Sequence, residues 1–268
     1  VQVERFESAL WQTTSLILVS GGEAIVVDPC ISSEEVRRIA ARADELGARV
    51  THVLATHADW DHVCGIAGFP DAVAAMGEET AAQVRDTGAG ERISQQAARY
   101  GLAVAGAPRA DRTLVQGVAD QIGPFVVETL ALRGHSPDGT AYRVRTLDLL
   151  AVGDYLSPAE FPFASSTADY RLTLAGLVDL LRHDPPGRVF PGHGPALSLG
   201  EALAIAEEDL AYLHALRDAV ASALRGGDAA TAREAGLAVR LPREAPSDLS
   251  PAHAANVEAQ LAELVPDG

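Results

Sequence analysis

Cysteine is scarce in this chain. Cys30 and Cys64 are the only thiols, and they form no CxxC pattern. A disulfide framework is therefore not expected, and the pair fits a reducing compartment, the cytoplasm. Long apolar runs are also missing. No stretch reaches the ~18 apolar residues of a membrane helix, so a membrane is not expected as a partner. The opening residues show no basic segment followed by an apolar core and a cleavage site, and no signal peptide is expected. Basic charge is sparse too. The formal net charge is −16, which repels phosphate backbones and removes nucleic acid from the expected partners. Arg85, Arg92 and Arg99 recur every seven residues, but acidic residues sit among them, and they read as a solvated helix face. No GxSxG elbow occurs, so a Ser-His-Asp hydrolase is not expected. No internal repeat is evident.

The remaining composition is that of a globular protein. The 268 residues are 47% hydrophobic and 22% charged, enough to bury a sizeable core. TSLILVS and AIVVD, joined at Gly21-Gly22, predict a β-hairpin. A helix follows, with Ser32 and Glu35 as a capping box, apolar positions from Val36 to Leu46, and Gly47 at its end. RVTHVLA predicts a strand. Residues 71–108 are Ala-rich and read as partly helical, with breaks at Gly88 and Gly90. FVVETLAL, TAYRVRT and DLLAVGD predict three further strands. Residues 169–183 predict an amphipathic helix whose apolar side is Leu172, Leu174, Leu177, Leu180 and Leu181. RVF is a short strand. From Leu199 the pattern becomes helical. One long helix runs to the two glycines near 226, and TAREAGLAV, a Pro-containing linker and a last helix capped by Ser250 follow. The expected division is a mixed α/β domain over 1–198 and a helical extension over 199–268.

The chemistry concentrates in Thr56-His57-Ala58-Asp59-Trp60-Asp61-His62. Four potential metal ligands fall within six residues, directly after a strand. A strand end and its loop can aim several side chains at one point, whereas a helix spreads them around its axis. Imidazole and carboxylate together suit zinc, and also iron or manganese. No packing or turn rule asks for this composition. Three more residues stand in the same context. His135 lies in RGHSPDGT, Asp154 in VGDY and His193 in PGHG, each after an apolar strand and each beside glycine. Cys64 reads as a small buried helix residue rather than a ligand. His52 reads as structural within its strand. His183 and His214 fall on predicted helices, in solvent or packing roles.

THADWDH, GHSPDG, VGD and PGHG, in this order, resemble the motifs of the metallo-β-lactamase superfamily on its glyoxalase II-like side. The likeness runs from about Leu16 to Gly194. It implies a four-layer αββα sandwich of the α/β class with two divalent metal ions at one edge. By the family's pattern, His57, Asp59 and His135 would hold the first ion. Asp61, His62 and His193 would hold the second, and Asp154 would bridge them. Asp28 matches the family's first motif and would support the ligands from behind, or is an ordinary turn residue before Pro29. The commonest family pattern is HxHxDH, and Asp59 stands where its second histidine is usual. A third carboxylate should offset part of the acidifying effect of the metals on bound water. Zinc is the first expectation, with manganese or iron as the alternatives that Asp59 raises.

The implied activity is hydrolysis of a small thioester, ester or lactone by a hydroxide bridging the metals and oriented by Asp61. The loop YLSPAEFPFASS offers Tyr155, Phe161 and Phe163 as apolar walls, or as anchors of the loop itself. In the last helix His253 and Asn256 share one face, and they reach the substrate or lie at the surface. No basic cluster suits glutathione or coenzyme A. Two other readings stand beside hydrolysis. One is an iron-dependent oxidoreductase on the same fold, of the persulfide dioxygenase kind. The other is a non-catalytic metal-binding protein. The expected partner is a small molecule, and the oligomeric state is left open.

Overall fold

A computed structural model describes residues 1–244 and 250–265. Residues 245–249 of the Pro-containing linker and the side chain of Ser250, expected as a cap, lie outside the described residues.

The order of elements follows from alternation and capping. Strands β1 (Gln2–Glu7), β2 (Thr14–Ser20) and β3 (Glu23–Val27) form an antiparallel meander. Gly21 and Gly22 turn between β2 and β3 with φ of +60° and +78°, as a tight hairpin turn requires. Helix α1 (Ser33–Glu45) starts in the expected capping box, Ser32 accepting from Glu35 N and Glu35 reaching back to Ser32 N. It crosses over to β4 (Arg49–Ala55), which lies parallel to β3. A short helix α2 (Trp60–Val63) follows, then β5 (Val73–Gly77), α3 (Glu78–Arg85), α4 (Ala89–Arg99) and β6 (Arg112–Leu114). These six strands make one sheet in the order β1-β2-β3-β4-β5-β6. The second sheet contains β7 (Ala119–Ile122), β8 (Phe125–Ala131), β9 (Thr140–Val144), β10 (Leu149–Ala151) and, after α5 (Thr167–His183), β11 (Arg188–Phe190). Its order is β11-β10-β9-β8-β7. Helices α6 (Leu199–Gly226), α7 (Ala229–Leu237) and α8 (Ser250–Leu264) form a C-terminal helical extension.

Period-two alternation assembles these parts into a four-layer αββα sandwich. In β2, Leu16 and Leu18 face inward and meet Val127, Tyr142 and Phe190 of the second sheet. Ile17 and Val19 face outward, in one core with Val36, Ile39 and Ala43 of α1. Both faces of β2 are buried, which is why TSLILVS is apolar throughout. The outer face of the second sheet, with Ala141, Leu150 and Val189, shares a third core with α5, α6 and α8.

Several local expectations are corrected. The segment 71–108 begins with a strand, β5, whose Ala74, Ala75 and Met76 are fully buried. Alanine has high helix propensity, but in the middle of a covered sheet its small size allows close packing on both sides. Arg85 belongs to α3, and Arg92 and Arg99 to α4, so the expected single helix face is split between two helices, with all three side chains exposed. Leu172 is not part of the buried side of α5. It is 72% exposed, while Tyr170, Leu174, Leu177 and Leu181 are buried. We therefore expect Leu174→Ala to cost about 2–5 kcal/mol, as a cavity in a dense core does. Leu172→Glu should stay within about 0.5 kcal/mol, as exposed substitutions do. Chemical denaturation of both variants checks the contrast.

Candidate metal centre

Every strand that precedes a motif delivers it to the same rim. β4 ends at Ala55 and leads into Thr56 and His57. β8 leads to His135, β10 to Asp154 and β11 to His193. The rim is stitched together across the sheets: Thr140 N donates to Thr56 O, Thr14 N to Gly192 O and Gly192 N to Gly153 O. The seven residues spread over the sequence converge here as two neighbouring groups.

Asp154 stands between them. Its Oδ2 lies 3.5 Å from His57 Nε2 and 3.2 Å from His135 Nε2. Its Oδ1 lies 3.0 Å from His62 Nε2 and 3.3 Å from His193 Nε2. Asp59 Oδ2 joins the first group, 3.2 Å from His135 Nε2 and 3.5 Å from His57 Nε2. Asp61 Oδ2 joins the second, 3.4 Å from His62 Nε2 and 3.6 Å from His193 Nε2. These atoms point at shared spaces rather than squarely at one another. His57 Nε2 and Asp154 Oδ1 are buried and make no aligned hydrogen bond. Buried polar atoms without partners are costly unless something else satisfies them. His57, Asp59, His135 and Asp154 lie close enough to share one cation, as do Asp61, His62 and His193. The donor set and the orphaned atoms fit divalent metal ions.

The other imidazole nitrogens are all occupied. His57 Nδ1 donates to Thr56 Oγ1 at 3.0 Å, His62 Nδ1 to Asp28 Oδ2 at 3.1 Å, His135 Nδ1 to Phe163 O at 2.9 Å and His193 Nδ1 to Trp11 O at 3.0 Å. Protonation at Nδ1 leaves each Nε2 lone pair facing the cluster, as a metal-ligating histidine requires. Asp28 is buried at the end of β3. It also accepts from Thr56 N and Thr56 Oγ1, both at 2.7 Å. It orients His62 and, through Thr56, His57, which is more than an ordinary turn residue does. Removing such an outer partner typically costs 10–100-fold in metal affinity. Asp28→Ala is expected to show a loss in that range in a chelator-competition titration.

The electrostatics favour positive charge. Burial and the neighbouring His62 oppose protonation of His57, yet Asp154 and Asp59 outweigh them and lift it to about 10. Burial likewise opposes protonation of His193, but Asp154, Glu160 and Asp61 lift it to about 9. His62 and His135 are raised for the same reasons. Burial resists ionisation of Asp154, and four surrounding imidazoles hold it well below the usual carboxylate range. Asp59 is half exposed. Burial opposes its ionisation too, but hydrogen bonds from His135 and His57 keep it depressed. A cluster of this kind holds cations, whether protons or metal ions.

The cluster forms the floor of a cavity of about 370 Å³. Phe161 and Phe163 line it, together with Trp11, Trp60 and Tyr100. Tyr155 does not line it. Its ring is buried against Tyr170, and its hydroxyl donates to Arg133 O and accepts from His135 N, so it braces the His135 loop from beneath. His253 and Asn256 do not reach the cavity either. His253 Nδ1 pairs with Tyr212 Oη, while buried Asn256 accepts from Ala164 N and donates to Pro162 O. Asn256 thus ties α8 to the aromatic loop, and α8 lines the cavity through Pro251, Ala252 and Ala255 instead. Cys64 is buried, its thiol donating to Ile31 O. His52 sits in β4, paired with Thr51, and His183 and His214 are exposed on α5 and α6.

Sequence reasoning missed three supports. Thr13 Oγ1 lies 3.3 Å from Asp61 Oδ2. Asp138 Oδ2 accepts from Ala58 N at 2.8 Å and fixes the ligand turn; it lies inside GHSPDG, where it was available to be noticed. Glu160, in the loop after Asp154, lines the cavity with Oε1 3.6 Å from His193 Nδ1. Burial, reinforced by Asp154 and Asp61 against His193, pushes its carboxyl up to about 7.

Residues 9–193 match the family model of the metallo-beta-lactamase superfamily. The chain is 28% identical over 190 residues to the probable metallo-hydrolase YqgX of Bacillus subtilis (strain 168), covering 69% of this chain and 86% of that protein. Among solved structures, it resembles the metallo-beta-lactamase family protein TTHA1429 from Thermus thermophilus. That likeness has a TM-score of 0.72 at 19% identity and covers 98% of this chain and 92% of the other. It also resembles TTHA1623, solved in a di-iron-bound form, with a TM-score of 0.58 at 26% identity over 74% of this chain and 96% of the other. With its two-sheet sandwich and the rim cluster in place, the chain belongs to the metallo-beta-lactamase superfamily.

Proposed function

We propose that this chain is a binuclear metal-dependent hydrolase of a small thioester, ester or lactone. The observation that carries the reading is Asp154, whose two oxygens face two separate imidazole pairs. His57, Asp59 and His135 would hold one ion, Asp61, His62 and His193 the other, with Asp154 shared. Bound divalent ions supply a Lewis acid for the substrate carbonyl and acidify water near neutral pH. The chain's own groups do the rest. Asp61 is placed to orient the attacking water, and Thr13 steadies Asp61. The aromatic wall holds the apolar body of the substrate and excludes bulk water. Water adds to the carbonyl carbon, the bond to sulfur or oxygen breaks, and the departing thiolate or alkoxide takes up a proton. Residues 199–268 act as an extension that closes the cavity with α8.

The test is a metal count on purified full-length protein beside a panel of thioesters, esters, lactones and β-lactams. The expected result is two divalent ions per chain and turnover of one carbonyl class, abolished by chelation and restored by metal. Turnover unchanged after complete chelation would overturn the proposal. Asp59, a harder donor than imidazole, together with the di-iron form of TTHA1623, favours iron over zinc as the native metal. The same observations support a second reading, an iron-dependent oxidoreductase. Oxygen consumption with a persulfide, in place of hydrolysis, would select it.

A further inference from the structure

The cavity over the metal centre has anionic and aromatic walls, and its basic side chains are two imidazoles of the ligand cluster, His135 and His193, whose Nε2 atoms face Asp154. Among the described residues, no arginine lines it. The chain contains no lysine at all, and the residues at 245–249 and 266–268 include no arginine or histidine. Arg243 stands beside the Glu160 backbone, its Nη1 donating to Glu160 O at 2.7 Å, but its Nη2 is held by Asp209 at 2.7 Å. Arg92, in an adjoining groove, is engaged by Asp86 at 2.5 Å. An anionic substrate would therefore meet no arginine or lysine among the described lining residues. Three carboxylates among the would-be ligands, Asp59, Asp61 and Asp154, offset most of the charge of two divalent ions.

Glu160 gives the cavity a definite polarity. Its side chain is only 17% exposed, and its carboxylate faces the cavity, with His193 Nδ1 at 3.6 Å as its sole described ion-pair partner. A largely buried carboxylate gains most from a cation brought to it. The chain's two tryptophans line the same cavity. Trp11 and Trp60 meet edge to face at 5.7 Å, and Tyr100 packs on both, at 4.9 Å from Trp11 and 5.7 Å from Trp60. Indole and phenol faces attract organic cations, quaternary ammonium groups above all. Glu160 stands one imidazole width, that of His193, from the Nε2 atoms that converge at the metal centre.

We propose that this site selects esters or thioesters that carry an organic cation, of the choline type, close to the scissile bond, and that Glu160 is the residue that sets this specificity. The inference rests on the hydrolase reading for the reaction but not for the binding. Both tryptophans line the cavity, so the intrinsic fluorescence of the metal-loaded full chain reports occupancy directly. Choline should quench or shift it saturably. The neutral alcohol in which carbon replaces the choline nitrogen should bind roughly tenfold more weakly. Glu160→Gln should erase that difference while leaving the neutral alcohol's affinity unchanged, both read on protein of measured metal content. Esters of one acyl group with these two alcohols and with an alcohol ending in a carboxylate, and thioesters with the corresponding thiols, should rank cationic, neutral, anionic in kcat/KM. Equal binding of choline and its neutral isostere, or preference for the anionic ester, overturns the inference while leaving hydrolysis intact. Selective choline binding with no hydrolysis of any ester would support the inference and overturn the hydrolase reading.

Discussion

Replacing Asp154 by alanine is expected to lower metal-dependent hydrolysis at least about a thousandfold and to reduce the bound metal below its full complement. The reason is geometric. Asp154 turns one carboxylate oxygen to each group of ligands, its oxygens lying 3.0–3.5 Å from four imidazole nitrogens. A shared carboxylate fixes the spacing of two cations and offsets their repulsion. Metal ions contribute several kcal/mol of charge stabilisation to the transition state, and each ~1.4 kcal/mol lost is a factor of ten. About 4 kcal/mol gives the thousandfold. The fold should survive, since Asp154 is a rim residue whose backbone is held by Tyr170 Oη donating to its carbonyl. Metal analysis and turnover on the same preparation, with circular dichroism as a folding control, check the expectation. A variant with full metal and activity within tenfold would remove Asp154 from the shared position.

Gly192→Ala should act on the same centre without deleting any ligand. A Cβ at Gly192 would stand 2.4 Å from Asp154 Oδ1, 2.9 Å from Gly153 C and 2.9 Å from His62 Cε1. The backbone cannot step away, because Gly192 N donates to Gly153 O at 2.5 Å and its carbonyl accepts from Thr14 N at 2.6 Å. The methyl group must displace Asp154 or His62. A misplacement of about 1 Å at a reacting centre costs on the order of a hundredfold. We expect that loss in kcat, together with a lowered melting temperature, since overpacking costs about 1–3 kcal/mol, and weaker metal uptake at the His62 group. Wild-type turnover in Gly192→Ala would mean that the crowding around Gly192 does not bear on catalysis.

The glycine before His193 is visible in the sequence as part of PGHG, and so are all seven clustered residues. They are legible because each follows a strand, and a sheet sends the ends of its strands to common edges. The hairpin at Gly21-Gly22 and the Ser32–Glu35 capping box are legible because their determinants are local. Most of what escapes depends on tertiary neighbours. Leu172 does not: it lies two residues before Leu174, about 200° around the helix, so its apolar character misleads while helical geometry sets it apart from the buried side. Alanines in β5 have the propensity of a helix and the burial of a sheet centre. Tyr155 and Asn256 read in the sequence as candidates to reach the substrate, yet each spends its polar atoms bracing a loop. Trp11, Tyr100 and Glu160 come from three segments without a shared motif, and only folding sets them around one cavity.

The most direct measurement is anomalous diffraction from crystals of the metal-loaded protein, collected across the absorption edges of zinc, iron and manganese. Two peaks are predicted. One lies among His57, Asp59 and His135, the other among Asp61, His62 and His193, with Asp154 reaching both. Fully active crystals with no peak among these side chains would contradict the account.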